Sequence, residues 1–163
     1  MSQTPEPGPY EEARAADVPL VAAVVLDCLD PRALAEFYRE LLGYTYRPGD
    51  EPPAPGEPDP RGEDWLVLWS SPGARHDGRA LAFQREPDHR PAEWSAESPP
   101  SPSGQRQMLH LDMVVADTDA LLRQRERALA LGAVQLFDRF DDDEEPLFVF
   151  ADPAGHPFCI YVG

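Results

Sequence analysis

Two short strings of the sequence hold the side chains best suited to chemistry. In MLHLDMVVAD, residues 108–117, His110 and Asp112 stand two apart, and in HPFCIYV, residues 156–162, Cys159 and Tyr161 do the same. Strand side chains alternate between faces, so His110, Asp112 and Val114 would share one face, and Cys159 and Tyr161 would share one on their own strand. An imidazole beside a carboxylate is a general acid–base pair that can move a proton near neutral pH. Both residues can equally serve as structural hydrogen-bonding groups, because same-face neighbours lie about 7 Å apart and a direct bond between them is not assured. Cys159 has three readings: a nucleophile activated by His110, a metal ligand, or a small buried hydrophobe, which is how a lone cysteine most often serves.

These residues need elements to hold them. VPLVAAVVLD (18–27) is a short, β-branched apolar run and predicts a strand; DPRALAEFYRELLG predicts a helix with Asp30 as its cap, Pro31 at the first position and Gly43 as its stop. Leu34, Phe37, Tyr38, Leu41 and Leu42 recur at helical spacing, a face that must pack on a sheet. YTYR, DWLVLWSS (64–71) and RALAFQRE (79–86) follow as strands. The same order then returns: the strand MLHLDMVVAD, a helix capped by Asp117 and stopped by Gly132, and the strands AVQLFDRF, PLFVFAD and HPFCIYV. Asp30 aligns with Asp117 and Leu34 with Leu121, so the halves are copies of one βαβββ plan.

An α+β architecture follows, with two βαβββ modules forming paired, curved sheets around a cleft. Module one is expected over 18–86, a linker over 87–107 and module two over 108–163, with a disordered tail over 1–17, since most of the 20 prolines gather in the first 19 residues, in 48–60 and in 87–102. The cleft would hold Asp27, His110, Asp112, Cys159 and Tyr161, with Trp65 or Trp69 as aromatic walls. Trp94, an indole in a Pro-rich linker, is expected to pack over the cleft or a partner subunit. Cys28 falls on the opposite strand face, towards the helix, while His76, His89 and His156 are expected to be solvated.

The 14 basic and 30 acidic residues give a net charge of -16, which repels nucleic-acid backbones and anionic membranes. No apolar run is long enough to span a bilayer and the N-terminus lacks a secretion signal, so a cytoplasmic location is expected. Two cysteines far apart in sequence fit reduced thiols rather than a disulfide scaffold. The run Asp141 to Glu145 lacks the alternation and central glycine of a calcium loop and predicts a solvated hairpin tip.

The paired modules, DPRALAEFYRELLGY and the terminal DPAGHPFCI resemble the glyoxalase, bleomycin-resistance and extradiol-dioxygenase superfamily, the vicinal oxygen chelate proteins, over nearly all of residues 20–163. LDCLDP, FYRELLG, a Trp-containing strand, the Gln before HLDMVVAD, and DPAGHPFC resemble its glyoxalase-like domain proteins more narrowly. The resemblance implies the vicinal oxygen chelate fold, a homodimer and a small organic ligand, but no single reaction. It also implies metal ligands on the first and last strand of each module. His110, seven residues before its capping aspartate, fits; the counterpart before Asp30 is Ala23, and the place of the last-strand glutamate, seven after Asp152, is Cys159. Gln84 or Glu86 is the remaining candidate.

The expected function is therefore binding or sequestering an organic compound, neutral or cationic, or metal-independent chemistry by His110 and Asp112, with no cofactor. The alternative is a metal-dependent lyase, isomerase or dioxygenase holding a divalent ion through His110, Gln84 or Glu86, and Cys159, with a further ligand from a dimer mate; a third reading is a vestigial cleft on a protein that binds a partner.

Overall fold

Two aspartates start the two helices. Asp30 Oδ1 accepts the Ala33 N–H at 2.9 Å and opens α1 (Pro31–Leu42), which stops at Gly43 with φ 69°. Asp117 Oδ1 accepts the Ala120 N–H and opens α2 (Thr118–Ala130), which ends at Leu131 and Gly132. The computed structural model describes residues 17–94 and 104–163; the expected tail, up to residue 16, and residues 95–103 of the expected linker lie outside them.

The strands are β1 (Ala23–Cys28), β2 (Thr45–Tyr46), β3 (Trp65–Trp69), β4 (Ala80–Arg85), β5 (Leu111–Val115), β6 (Val134–Arg139), β7 (Leu147–Ala151) and β8 (Pro157–Val162). They form two four-stranded sheets, ordered β1-β4-β3-β2 and β5-β8-β7-β6, in which the first strand runs parallel to the last and the others are antiparallel. This is an α+β fold of two βαβββ modules, the vicinal oxygen chelate plan, with sheets that do not close. The strand expected from residue 18 begins only at Ala23, where its ladder with Ala80 begins; Val18, Leu20 and Val21 have no ladder partner and stay exposed.

One core joins the halves. Leu34, Phe37, Tyr38 and Leu41 of α1, Leu66, Leu68 and Phe83 of the first sheet, and Phe148, Phe150, Phe158 and Ile160 of the second belong to one buried cluster. Cys28 lies in it, 1% exposed. Each large apolar side chain so buried contributes about 1.5–3 kcal/mol. Phe37 meets Phe158 at 5.9 Å between ring centroids, so α1 spans both sheets on the helix side. On the same side the Tyr38 hydroxyl donates to buried Asp152 at 2.9 Å.

Asp152 organises the last turn. Its Oδ1 accepts the N–H groups of Ala154 and His156, and His156 Nδ1 lies 3.0 Å from Oδ2. His89 Nε2 donates to the Ala154 carbonyl at 2.8 Å and its ring packs on His156 at 5.1 Å. His89 and His156 are therefore not the solvated side chains the sequence suggested, because a buried carboxylate and a carbonyl recruit them. Gly155, at φ 92°, has Pro91 pressed against it; a Cβ there would stand 2.4 Å from Pro91 Cβ.

The edge strands β1 and β5 lie side by side with no ladder between them. Val25, Leu26 and Asp27 share a hollow of ≈180 Å³ with Gln107, Met108 and Leu109, and Val24 and Ala80 share one of ≈250 Å³ with Leu111, Asp112 and Met113. A larger hollow flanks this seam on each sheet, on the face away from the helices.

Candidate functional site

Alternation along the second sheet sorts its side chains. Leu111, Met113, Phe158 and Ile160 go to the core, which leaves His110, Asp112, Cys159 and Tyr161 on the other face. With Trp94, Phe137, Leu147 and Val149 they line a hollow of ≈410 Å³, and Arg139 and Glu145 complete its rim. Strand β6 is irregular between Gln135 and Phe137, where the register shifts.

His110 Nε2 lies 3.3 Å from Asp112 Oδ1, with side chains 42% and 61% exposed. The carboxylate can thus orient the imidazole while solvent or a ligand reaches both. Asp112 is the ladder partner of Cys159. Burial first, then the charges of Asp112 and Glu145, push the Cys159 thiol up to about 11. It is therefore protonated near neutral pH, a compact packing group with a weak donor rather than a ready nucleophile or thiolate ligand. Arg139 is paired with Asp142 and Glu145 across the β6–β7 turn, so the acidic tip is tied together by a guanidinium.

The residues expected in one cleft are divided. His110, Asp112, Cys159, Tyr161 and Trp94 share the second sheet's hollow, whereas Asp27 lines the seam hollow and Trp65 and Trp69 line a separate hollow, also ≈410 Å³, on the first sheet. Gln84 and Glu86 line neither large hollow: Gln84 is exposed opposite Asp27 on β4, and Glu86 lies past the strand end, its N–H bonded to the Cys28 carbonyl. Ladder register shows why module one supplies no donor. The pair Val25 and Ala82 stands where module two has Asp112 and Cys159, each first member five residues before its helix cap. The counterparts of His110 and Cys159 are therefore Ala23 and Ala82.

A divalent ion needs several converging donors. Among the described residues no three His, Cys, Asp or Glu side chains converge in that way. With alanine at two of the four expected positions and a protonated thiol at a third, this donor set does not fit a chelated ion within one chain.

Sequence reasoning missed Phe137, Arg139, Glu145, Leu147 and Val149, although the alternation of β7 would have given the last two. It also missed buried Asp50, which accepts the Val67 N–H at 3.0 Å and the Arg47 guanidinium at 2.8 Å. Asp50, together with the Arg32–Asp59 pair at 2.7 Å, pins the long loop after β2 and fixes Arg47 at the rim of the first sheet's hollow.

The family profile described as Glyoxalase-like domain matches residues 23–161. A search of curated proteins finds no match. Among solved structures, a glyoxalase/bleomycin resistance protein/dioxygenase family enzyme from Burkholderia phytofirmans PsJN is similar at 15% identity and TM-score 0.57, covering 88% of this chain and 98% of its own. The fosfomycin resistance protein FosX from Mesorhizobium loti follows at 13% identity and 0.54, covering 87% and 90%. A FosX variant from Listeria monocytogenes, complexed with Mn(II) and a dihydroxypropylphosphonic acid, gives 13% and 0.54, covering 86% of each chain. At such identities the likeness is one of fold. With its profile match running through both modules, the chain belongs to the glyoxalase-like domain family of the vicinal oxygen chelate superfamily.

Proposed function

We propose that this protein binds a small organic molecule, neutral or cationic, in the hollow of its second sheet, without a chelated metal. The observation that carries this reading is the lining. Trp94, Phe137, Tyr161, Leu147 and Val149 offer apolar and stacking surface around the exposed His110–Asp112 pair, and ≈410 Å³ is within the range of small-molecule sites. Asp112 and Glu145 against one paired guanidinium make the wall acidic, which sets the sign of charge it accepts. His110 and Asp112 are the groups positioned to orient a polar ligand atom or to move its proton.

The reading extends to a homodimer in the cytoplasm. Its support is the apolar surface left at the seam, where Val25, Met108, Leu109 and Val114 are all exposed on or beside the two edge strands. No described helix is long and apolar enough to cross a membrane.

A thermal-shift panel of aromatic amines, neutral aromatics and divalent metals tests the proposal, because a ligand preferring the folded state raises the melting temperature. An aromatic amine or neutral aromatic is expected to stabilise the protein, and His110→Ala and Asp112→Asn to weaken that effect. Near-stoichiometric Zn, Ni, Mn or Fe in protein purified without chelator, lost in His110→Ala, would overturn the metal-free reading in favour of the lyase, isomerase or dioxygenase class.

A further inference from the structure

The first sheet's hollow is as large as the second's and opposite in charge. Its walls are Trp65 and Trp69, which with Val67 take alternate positions on β3, and its floor is Ala80 and Ala82 of the neighbouring strand. Small side chains between two half-buried indoles leave a slot suited to a flat ring, which gains both burial and stacking. Among the described residues no carboxylate lines it; the charged side chains there are Arg47 and Arg75, with His76 beside them.

The two arginines are not equivalent. Arg47 is already compensated by buried Asp50 at 2.8 Å. Arg75 is exposed, its guanidinium carbon lies 5.5 Å from the Trp69 ring centroid, and among the described residues no carboxylate stands within ion-pair distance of it. Stacking on the indole holds the guanidinium over the slot with its N–H groups available, the arrangement that receives a carboxylate on a bound arene. On a chain of net charge -16 an anion gains nothing from the overall field, so a local cation is what admits one.

We propose that this hollow is a second binding site, distinct from that of the second sheet, and that it takes a planar aromatic anion of the aryl-carboxylate class, its ring against Trp65 and Trp69 and its carboxylate on Arg75. It does not depend on the function proposed above.

Isothermal titration of the full chain with 2-naphthoate, and with 2-naphthylmethylamine as the cationic match, tests it. Saturable 2-naphthoate binding is expected, about tenfold weaker in Arg75→Gln, as loss of one charged hydrogen-bonding contact implies, and unchanged in His110→Ala. Arg75 is exposed, so its replacement leaves the fold intact. Absence of 2-naphthoate binding, equal affinity for the amine at this site, or loss in His110→Ala with none in Arg75→Gln would overturn the proposal. Amine binding that is lost only in His110→Ala belongs to the second sheet's hollow and leaves this result standing.

Discussion

The protonated Cys159 thiol sets what the second sheet's hollow can do. The family resemblance implies a glutamate where it stands, and a carboxylate there would add charge to Asp112 and Glu145. The thiol instead stays neutral, because burial and those same two charges push it up to about 11, and burial pushes Cys28 up to about 12. Tyr38 is raised well above its usual value by burial and by its bond to Asp152. All three are acids whose folded forms hold their protons longer than the unfolded chain does. The contribution of the two thiols to stability is therefore complete below about pH 9, their ordinary value, and is lost as pH rises through 11 and 12, and the raised Tyr38 acts in the same direction. Urea midpoints are expected to hold from pH 7 to 9 and fall steeply above it, and iodoacetamide is expected to label native protein far more slowly than unfolded protein at pH 8. Labelling at equal rates would refute the assignment. At this scale, alternation was enough to put His110 with Asp112 and Cys159 with Tyr161. The 3.3 Å approach of the first pair was not legible, since it depends on how two side chains lean across a spacing of about 7 Å.

The elements follow from their punctuation. Asp30, Pro31 and Gly43 bracket α1, and Asp117 and Gly132 bracket α2, as their chemistry requires. Replacing Asp30 or Asp117 by Ala removes an acceptor from an orphan N–H, and each change is expected to cost about 1 kcal/mol in denaturant titration. Gly43→Ala forces a Cβ into the left-handed region at φ 69° and is expected to cost about 1 kcal/mol or more, although nothing stands within 4 Å to clash with it. Loop behaviour was less legible. The Pro-rich stretch after β2 reads as a free loop, yet Asp50 and the Arg32–Asp59 pair tie it down, because contacts so distant in sequence carry no local signal. The solvated reading of His89 failed for the same reason, its partner Ala154 being 65 residues away, whereas that of His156 failed because Asp152, four residues before it, is buried and recruits its ring.

Over the whole molecule, a net charge of -16 opposes compaction. Raising NaCl from about 20 to 300 mM screens that repulsion and is expected to raise the melting temperature by a few degrees in differential scanning calorimetry; a fall would show that specific ion pairs outweigh the general repulsion. The duplicated plan and its fold class were legible from internal similarity. The division of the expected cleft into separate hollows was not, because it depends on which loops return to which sheet: Arg75 from the β3–β4 connection, Trp94 from the linker, Glu145 from the acidic turn.

The seam between β1 and β5 carries no backbone ladder, and the cohesion of the halves resides on the helix side, in Phe37, Tyr38, Phe158 and Asp152. A substitution lining one basin thus leaves the opposite basin's register untouched. A chain built twice from one blueprint presents an acidic bowl on one half and a basic one on the other.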